Sequence, residues 1–145
     1  MVTTVDLARN GLGALTLFVE ELDTVTAFYR DVLGLDLVYQ DDVSAVVGLG
    51  GTFLNLLDID AAPELVQPAR AAPVGQTAQM MLSLFVEDVD AVCADLRDRG
   101  VALLNGPVDR PWGKRTAAFT DPAGTVWEIA QDLPAGPDPA TSSTS

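Results

Sequence analysis

Thr125 to Ala130, TVWEIA, has strand chemistry and contains a single acid, Glu128. Side chains alternate along a strand, so Val126 and Glu128 share one face and Trp127 and Ile129 the other. A carboxylate on an otherwise apolar strand either meets water or belongs to a site, because burying it unpaired is expensive. Glu128 has three uses open to it. It can pair with a cationic group on a ligand, act as a general base, or hydrogen-bond a residue on the neighbouring strand.

Few other residues offer reactive chemistry. The chain has no histidine, which removes the commonest metal ligand and the commonest general base near neutral pH. Ser-His-Asp and Cys-His units are thereby excluded. Cys93, the single cysteine, sits mid-helix with no basic residue beside it in sequence to activate it. The remaining candidates suit binding. Trp112 lies in DRPWGKR, where an indole displayed on a loop can stack on a flat ligand or fold back onto the core. Asn55 offers an amide, and Phe53 shares its strand face. Phe119 stands on the strand before the last turn. Arg115 can hold an anion or carbonyl, or pair with one of the chain's many acids. Met80 and Met81 can form a soft wall.

Charge narrows the partners. The 145 residues include 21 acids and 8 bases, a net charge of −13. Nucleic-acid binding needs clustered cations and is not expected. The acidic field favours cationic ligands, or simply keeps the protein soluble. No apolar run approaches the roughly 20 residues of a membrane span, and Met1 to Gly11 lacks a signal-peptide core. One cysteine permits no intrachain disulfide, in keeping with a reducing cytoplasm.

The elements that must position these side chains occur twice. LTLFVEELDTV at Leu15 to Val25 matches LSLFVEDVDAV at Leu82 to Val92. GTFLNLL at Gly51 to Leu57 matches GTVWEIA at Gly124 to Ala130, which sets Asn55 against Glu128. The first copy reads as a strand over 12–19, a helix capped by Asp23 and closed at Gly34, then strands over 35–39, 43–49 and 52–59. The second reads as a strand, a helix over 89–99 closed at Gly100, a short strand over 101–104 stopped by Asn105-Gly106-Pro107, and a hairpin. That hairpin pairs 116–120 with 125–130 around Asp121-Pro122-Ala123-Gly124. Each copy is β-α-β-β-β, a tandem repeat. The expected segments are a lead-in over 1–11, modules over 12–60 and 80–132, a Pro/Ala-rich linker over 61–79 and a disordered tail over 133–145.

Tandem βαβββ modules with AFYRDVLG, WGKR and DPAGTVWEI resemble the vicinal oxygen chelate superfamily of glyoxalases, bleomycin-resistance proteins and extradiol dioxygenases. The resemblance covers nearly all of Gly13 to Gln131. It implies an α+β fold in which tandem βαβββ repeats form an open, cupped mixed β-sheet barrel with helices outside. The two halves, often with a second subunit, would enclose a pocket. Enzymes of the superfamily usually hold a divalent metal from four places, which fall here on Ala14, Asn55, Met81 and Glu128. A shift of one residue brings in Gly13, Leu15, Met80 or Leu82, and none helps. Alanine donates nothing, a thioether is soft, and one amide with one carboxylate falls short of about three protein ligands.

The resemblance therefore points to the metal-free branch, with no cofactor. Its members resemble drug-binding proteins that confer resistance by sequestering an antibiotic. The expected function is metal-independent binding of an antibiotic-like, aromatic and in some cases cationic small molecule, in the cytoplasm, by a homodimer. Trp112, Glu128, Asn55, Phe53, Met81, Arg115 and Phe119 are the expected ligand contacts, with no nucleic-acid or membrane partner. The alternative is a glyoxalase- or dioxygenase-like lyase, isomerase or oxidoreductase that uses Glu128 with or without a metal. An accessory domain that binds another protein ranks last.

Overall fold

A computed structural model describes residues 11–72 and 80–134. Residues 1–10 of the expected lead-in, 73–79 of the expected linker and 135–145 of the expected tail lie outside the described residues. On either side of the 73–79 segment the chain forms a compact unit.

The first unit holds β1 (Ala14–Val19), α1 (Leu22–Ala27), β2 (Leu37–Gln40), β3 (Ser44–Leu49) and β4 (Thr52–Asp58). They make a four-stranded sheet in the order β1-β4-β3-β2, with β1 parallel to β4 and the other pairs antiparallel. The second unit repeats this with β5 (Met81–Phe85), α3 (Val89–Asp98), β6 (Leu103–Asp109), β7 (Lys114–Thr120) and β8 (Val126–Asp132), ordered β5-β8-β7-β6. The first unit also holds the one-turn helix α2 (Pro63–Val66), after β4 in the chain. The architecture is α+β, two mixed sheets each with its own βαβββ topology.

Alternation fixes which side of each sheet is buried. Leu54 and Leu56 on β4, Val47 on β3 and Val19 on β1 are fully buried, and α1 packs on β3 and β4 with Val25 and Tyr29 inward. In the second unit Trp127, Ile129 and Phe119 are buried, and α3 packs on β6, β7 and β8 with Val89, Cys93 and Leu96 inward. Each large apolar side chain so buried is worth about 1.5–3 kcal/mol, whereas an exposed ion pair gives about 0–1 kcal/mol. Apolar alternation, not charge, therefore sets the register. Burial also pushes the Cys93 thiol above its ordinary pKa, so it stays protonated and inert.

Several local expectations change. Asp23 is not the cap of α1. The cap position is Glu21, which makes no side-chain cap bond, and Asp23 lies in the first turn, where it still complements the dipole. The helix then widens into a π-turn over Phe28–Val32, with the Leu33 N–H bonded to the Phe28 carbonyl at 3.0 Å. Gly34, at φ +73°, closes it as expected, and the Leu35 N–H reaches back to the Tyr29 carbonyl at 2.9 Å. In the second unit Asp88 does cap α3, accepting from the Ala91 N–H at 3.0 Å. At the end of the expected first module Ile59–Ala61 forms a 3₁₀ turn, and within the expected linker α2 follows, because Pro63 sits at a helix start where its missing N–H costs nothing.

The largest correction concerns β6. Asn105-Gly106-Pro107 does not stop the strand. The chain continues to Asp109, with register shifts against β7 on either side of Asn105. Two facts allow this. β6 is an edge strand, where proline is tolerated, and Gly106 adopts φ +86°. A Cβ there would lie 2.4 Å from the Thr116 carbonyl oxygen and 2.7 Å from Ala117 Cα.

Gly106→Ala is expected to destabilise the protein by about 2–3 kcal/mol, from overpacking plus left-handed strain. Gly50→Ala, at φ +59° with open space around it, should lose only about 1 kcal/mol. Urea midpoints at constant slope measure both; equal losses would show that the β6–β7 contact is not tight. A second expectation concerns Asp41, in the β2–β3 turn. Its carboxylate accepts from the Tyr39 hydroxyl at 2.6 Å, the Val43 and Ser44 N–H groups at 2.9 and 2.8 Å, and Ser44 Oγ at 3.1 Å. Chiefly through the Tyr39 bond, its pKa is lowered to about 2. A depressed folded-state pKa stabilises the fold above the ordinary aspartate range, and that contribution disappears as pH falls toward about 2. The stability gap between wild type and Asp41→Asn should therefore be constant above pH ~5 and close between pH ~4 and ~2. Urea titrations across that range test it, and a gap independent of pH would refute it.

Candidate functional site

In each sheet the face opposite the helix carries the polar candidates. In the second unit Ala118 stands opposite Glu128, Thr116 opposite Ala130, and Ser83 beside Glu128 on the parallel strand β5. Met81, two residues before Ser83, shares that face and is 50% exposed. Ser83 Oγ donates to Glu128 Oε1 at 2.9 Å. The half-buried carboxylate is thus oriented by a neutral hydroxyl and keeps acceptor capacity on Oε2.

The first unit repeats this arrangement in neutral form. Thr16 lies beside Asn55 across β1 and β4, and Asn55 Nδ2 lies 3.4 Å from Thr16 Oγ1. Asn55 Oδ1 and Thr52 Oγ1 are buried without a hydrogen-bond partner. Such an acceptor costs on the order of 1–3 kcal/mol until it meets a donor. Phe53 shares the Asn55 face at its exposed end.

Trp112 is held out by its turn. The Gly113 N–H bonds to the Arg110 carbonyl at 3.1 Å and the Arg110 N–H to the Lys114 carbonyl at 2.7 Å. Pro111 occupies the second turn position, and Gly113, at φ +84°, supplies the left-handed residue that lets the hairpin close. This leaves the indole 67% exposed, with the Arg110 guanidinium 5.9 Å from its ring centre.

Two expected contacts do not join this surface. Phe119 is 1% exposed and stands opposite Trp127, on the helix-covered face, because the antiparallel register puts Ala118 and not Phe119 against Glu128. Arg115 also points to that other face, paired with Gln131. Its guanidinium is bonded to Asp109 at 2.7 and 3.3 Å and to Asp90 at 2.9 Å, tying α3 to β6 and β7. These acids, Asp109 foremost, hold its pKa above the ordinary arginine value, and the guanidinium in turn lowers that of Asp109. Arg115 is a clasp between elements, and the many acids noted in the sequence claim it. Met81 and Glu128 belong to the second unit's open face, Trp112 to its β6–β7 turn, and Phe53 and Asn55 to the first unit's open face.

Sequence reasoning passed over Thr16 and Ser83, although they occupy matching places in the repeated LTLFV and LSLFV. It also passed over Arg110, whose only signal was its place two residues before Trp112.

A sequence model of the glyoxalase/bleomycin resistance protein/dioxygenase superfamily matches residues 11–129. The chain belongs to this superfamily. It is 32% identical over 121 residues to the uncharacterized protein YraH of Bacillus subtilis (strain 168), covering 81% of this chain and 94% of YraH. A superfamily structure from Nocardioides superposes with a TM-score of 0.76 at 28% identity, covering 91% of this chain and 89% of that one. TnmS3, an antibiotic binding protein from Streptomyces sp. CB03234, superposes with a TM-score of 0.65 at 31% identity, covering 87% and 98%.

Enzymes of the superfamily raise the question of a divalent metal, and the donors here do not fit one. Ala14 has no lone pair to give and Met81 offers only a soft thioether. Asn55 brings one amide oxygen, and Glu128 one carboxylate already bonded to Ser83. Among the described residues no group of three or more His, Cys, Asp or Glu side chains gathers for a metal. Added Mg²⁺, Mn²⁺ or Zn²⁺ at tenfold excess is accordingly expected to leave the melting temperature unchanged within about 1 °C, since an ion that does not bind the native state cannot stabilise it. A rise of several degrees with stoichiometric uptake would refute this.

Proposed function

We propose that this chain is a metal-independent small-molecule binding protein that sequesters an antibiotic-like aromatic compound. The observation that carries the reading is the donor set at the four superfamily metal positions, Ala14, Asn55, Met81 and Glu128, which keeps polar orientation but no electrophile. Supporting it are the exposed Trp112, the exposed apolar surfaces of Phe53 and Met81, and the 31% identity to an antibiotic binding protein. In this reading the ligand stacks on Trp112 and apolar burial supplies most of the affinity. Glu128 Oε2 in the second unit offers an acceptor to a donor on the ligand, cationic donors included, and Asn55 Oδ1 offers a neutral acceptor in the first unit. The protein acts as a cytoplasmic homodimer, and binding alone protects the cell.

The test is a tryptophan fluorescence titration against a panel of aromatic antibiotics, with each compound recovered and analysed afterwards. Saturable quenching with the compound intact is the expected result. Trp112→Ala should weaken binding roughly tenfold through lost stacking and contact area, while the buried Trp127 barely responds. Chemical change of the compound, abolished in Glu128→Gln with binding retained, would replace this reading with that of an enzyme. Absence of binding across the panel would overturn it.

A further inference from the structure

Arg110 is the cation that the binding reading leaves unused. Its Nε donates to Thr116 Oγ1 at 2.9 Å, and its Nη2 lies 3.4 Å from Asn105 Oδ1. Both partners are neutral. Arg30, Arg99, Lys114 and Arg115 each form an ion pair with an aspartate. Among the described residues none forms with Arg110, in a chain where acids outnumber bases 21 to 8. A guanidinium carries five N–H donors in a rigid fork, so these two contacts orient the group without neutralising it. The side chain is half-buried, and it lies over the indole of Trp112, which remains 67% exposed.

We propose that Arg110 and Trp112 form a subsite for an aromatic ligand bearing an anionic oxygen, a carboxylate or phenolate. The ring stacks on Trp112 and the oxygen accepts from the guanidinium. This rests on the binding reading above and gives the ligand a chemistry that the net charge of −13 does not suggest. The acidic field disfavours an anion at a distance, but beyond about 8 Å it is largely screened at physiological salt. At contact the unpaired guanidinium governs, through a charge-assisted bond about twice as strong as a neutral one. The register adds a second anchor. Ala118, two residues along β7 from Thr116, stands opposite Glu128. Thr116, which holds Arg110, and Glu128 are therefore diagonal neighbours roughly 7 Å apart on one face, and Glu128 can take a donor on the same ligand.

The test uses three probes of one shape, phenanthrene-9-carboxylate, phenanthrene-9-carboxamide and 9-(aminomethyl)phenanthrene, titrated by tryptophan quenching and calorimetry. Wild type is expected to bind the carboxylate roughly tenfold more tightly than the amide. Arg110→Gln should abolish that preference, with a larger loss for the carboxylate than for the amide, and Arg110→Lys should restore part of it. Trp112→Leu should weaken all three. Equal affinity for carboxylate and amide in wild type, or tighter binding of the ammonium probe, overturns the subsite while the binding reading stands. Silence from all three probes overturns both. The wild-type comparison decides the matter even where Arg110→Gln fails to fold.

Discussion

The strand β8 is paired on both sides, parallel to β5 and antiparallel to β7. A strand so placed has no freedom to slip, because a one-residue shift would exchange its faces. Trp127 and Ile129 would then leave the core and Glu128 would enter it. The same constraint that buries about 1.5–3 kcal/mol per apolar side chain therefore fixes a carboxylate on the open face. Position and chemistry come from one pairing. The Ser83 hydroxyl, delivered beside Glu128 by the parallel neighbour, then sets the orientation of the carboxylate.

Magnitudes decide what that carboxylate can do. A metal centre draws its stability from several charged or imidazole donors together, commonly three in catalytic sites. One carboxylate and one amide cannot replace them. A single ion pair near water is worth about 0–1 kcal/mol, too little to hold a ligand by itself. Burying about 300 Å² of apolar ligand surface yields about 7 kcal/mol before the costs of association. Under the proposed binding function, affinity would accordingly rest on apolar surface such as the exposed Trp112. Glu128 and Arg110 would then select among flat molecules by where their polar atoms fall.

Much of this was legible in the sequence because it depends on local pattern. The repeat, the alternation on β8, the Asp-Pro-Ala-Gly turn and the two helix-closing glycines each follow from a few adjacent residues. What escaped depends on pairing between distant segments. The passage of β6 through Gly106-Pro107 is possible only because the strand is at an edge and the β7 backbone lies against Gly106. The placing of Phe119 needs the register with β8, since two residues one apart in sequence lie on opposite faces. Arg115 looked available until α3 and β6 brought Asp90 and Asp109 to it. Arg110, with no acid brought to it, is left beside Trp112 as a basic group whose charge is unspent.

The repeat also shows where the two copies differ. Thr16 with Asn55 and Ser83 with Glu128 occupy the same places in two copies of one topology, so the backbone provides the same hydrogen-bonding station twice. One station is neutral and the other charged. The turns differ in the same way. The β2–β3 turn is built on Asp41, whose carboxylate is occupied by Tyr39, Val43 and Ser44. The equivalent β6–β7 turn carries Arg110 beside an exposed tryptophan. In the first copy the charged group is consumed in holding its own turn. In the second, both charged groups, Glu128 and Arg110, are positioned by neutral partners that leave donor or acceptor capacity over. A molecule that reads the difference between the copies must do so through the second unit, and its orientation follows from that asymmetry rather than from the shared framework.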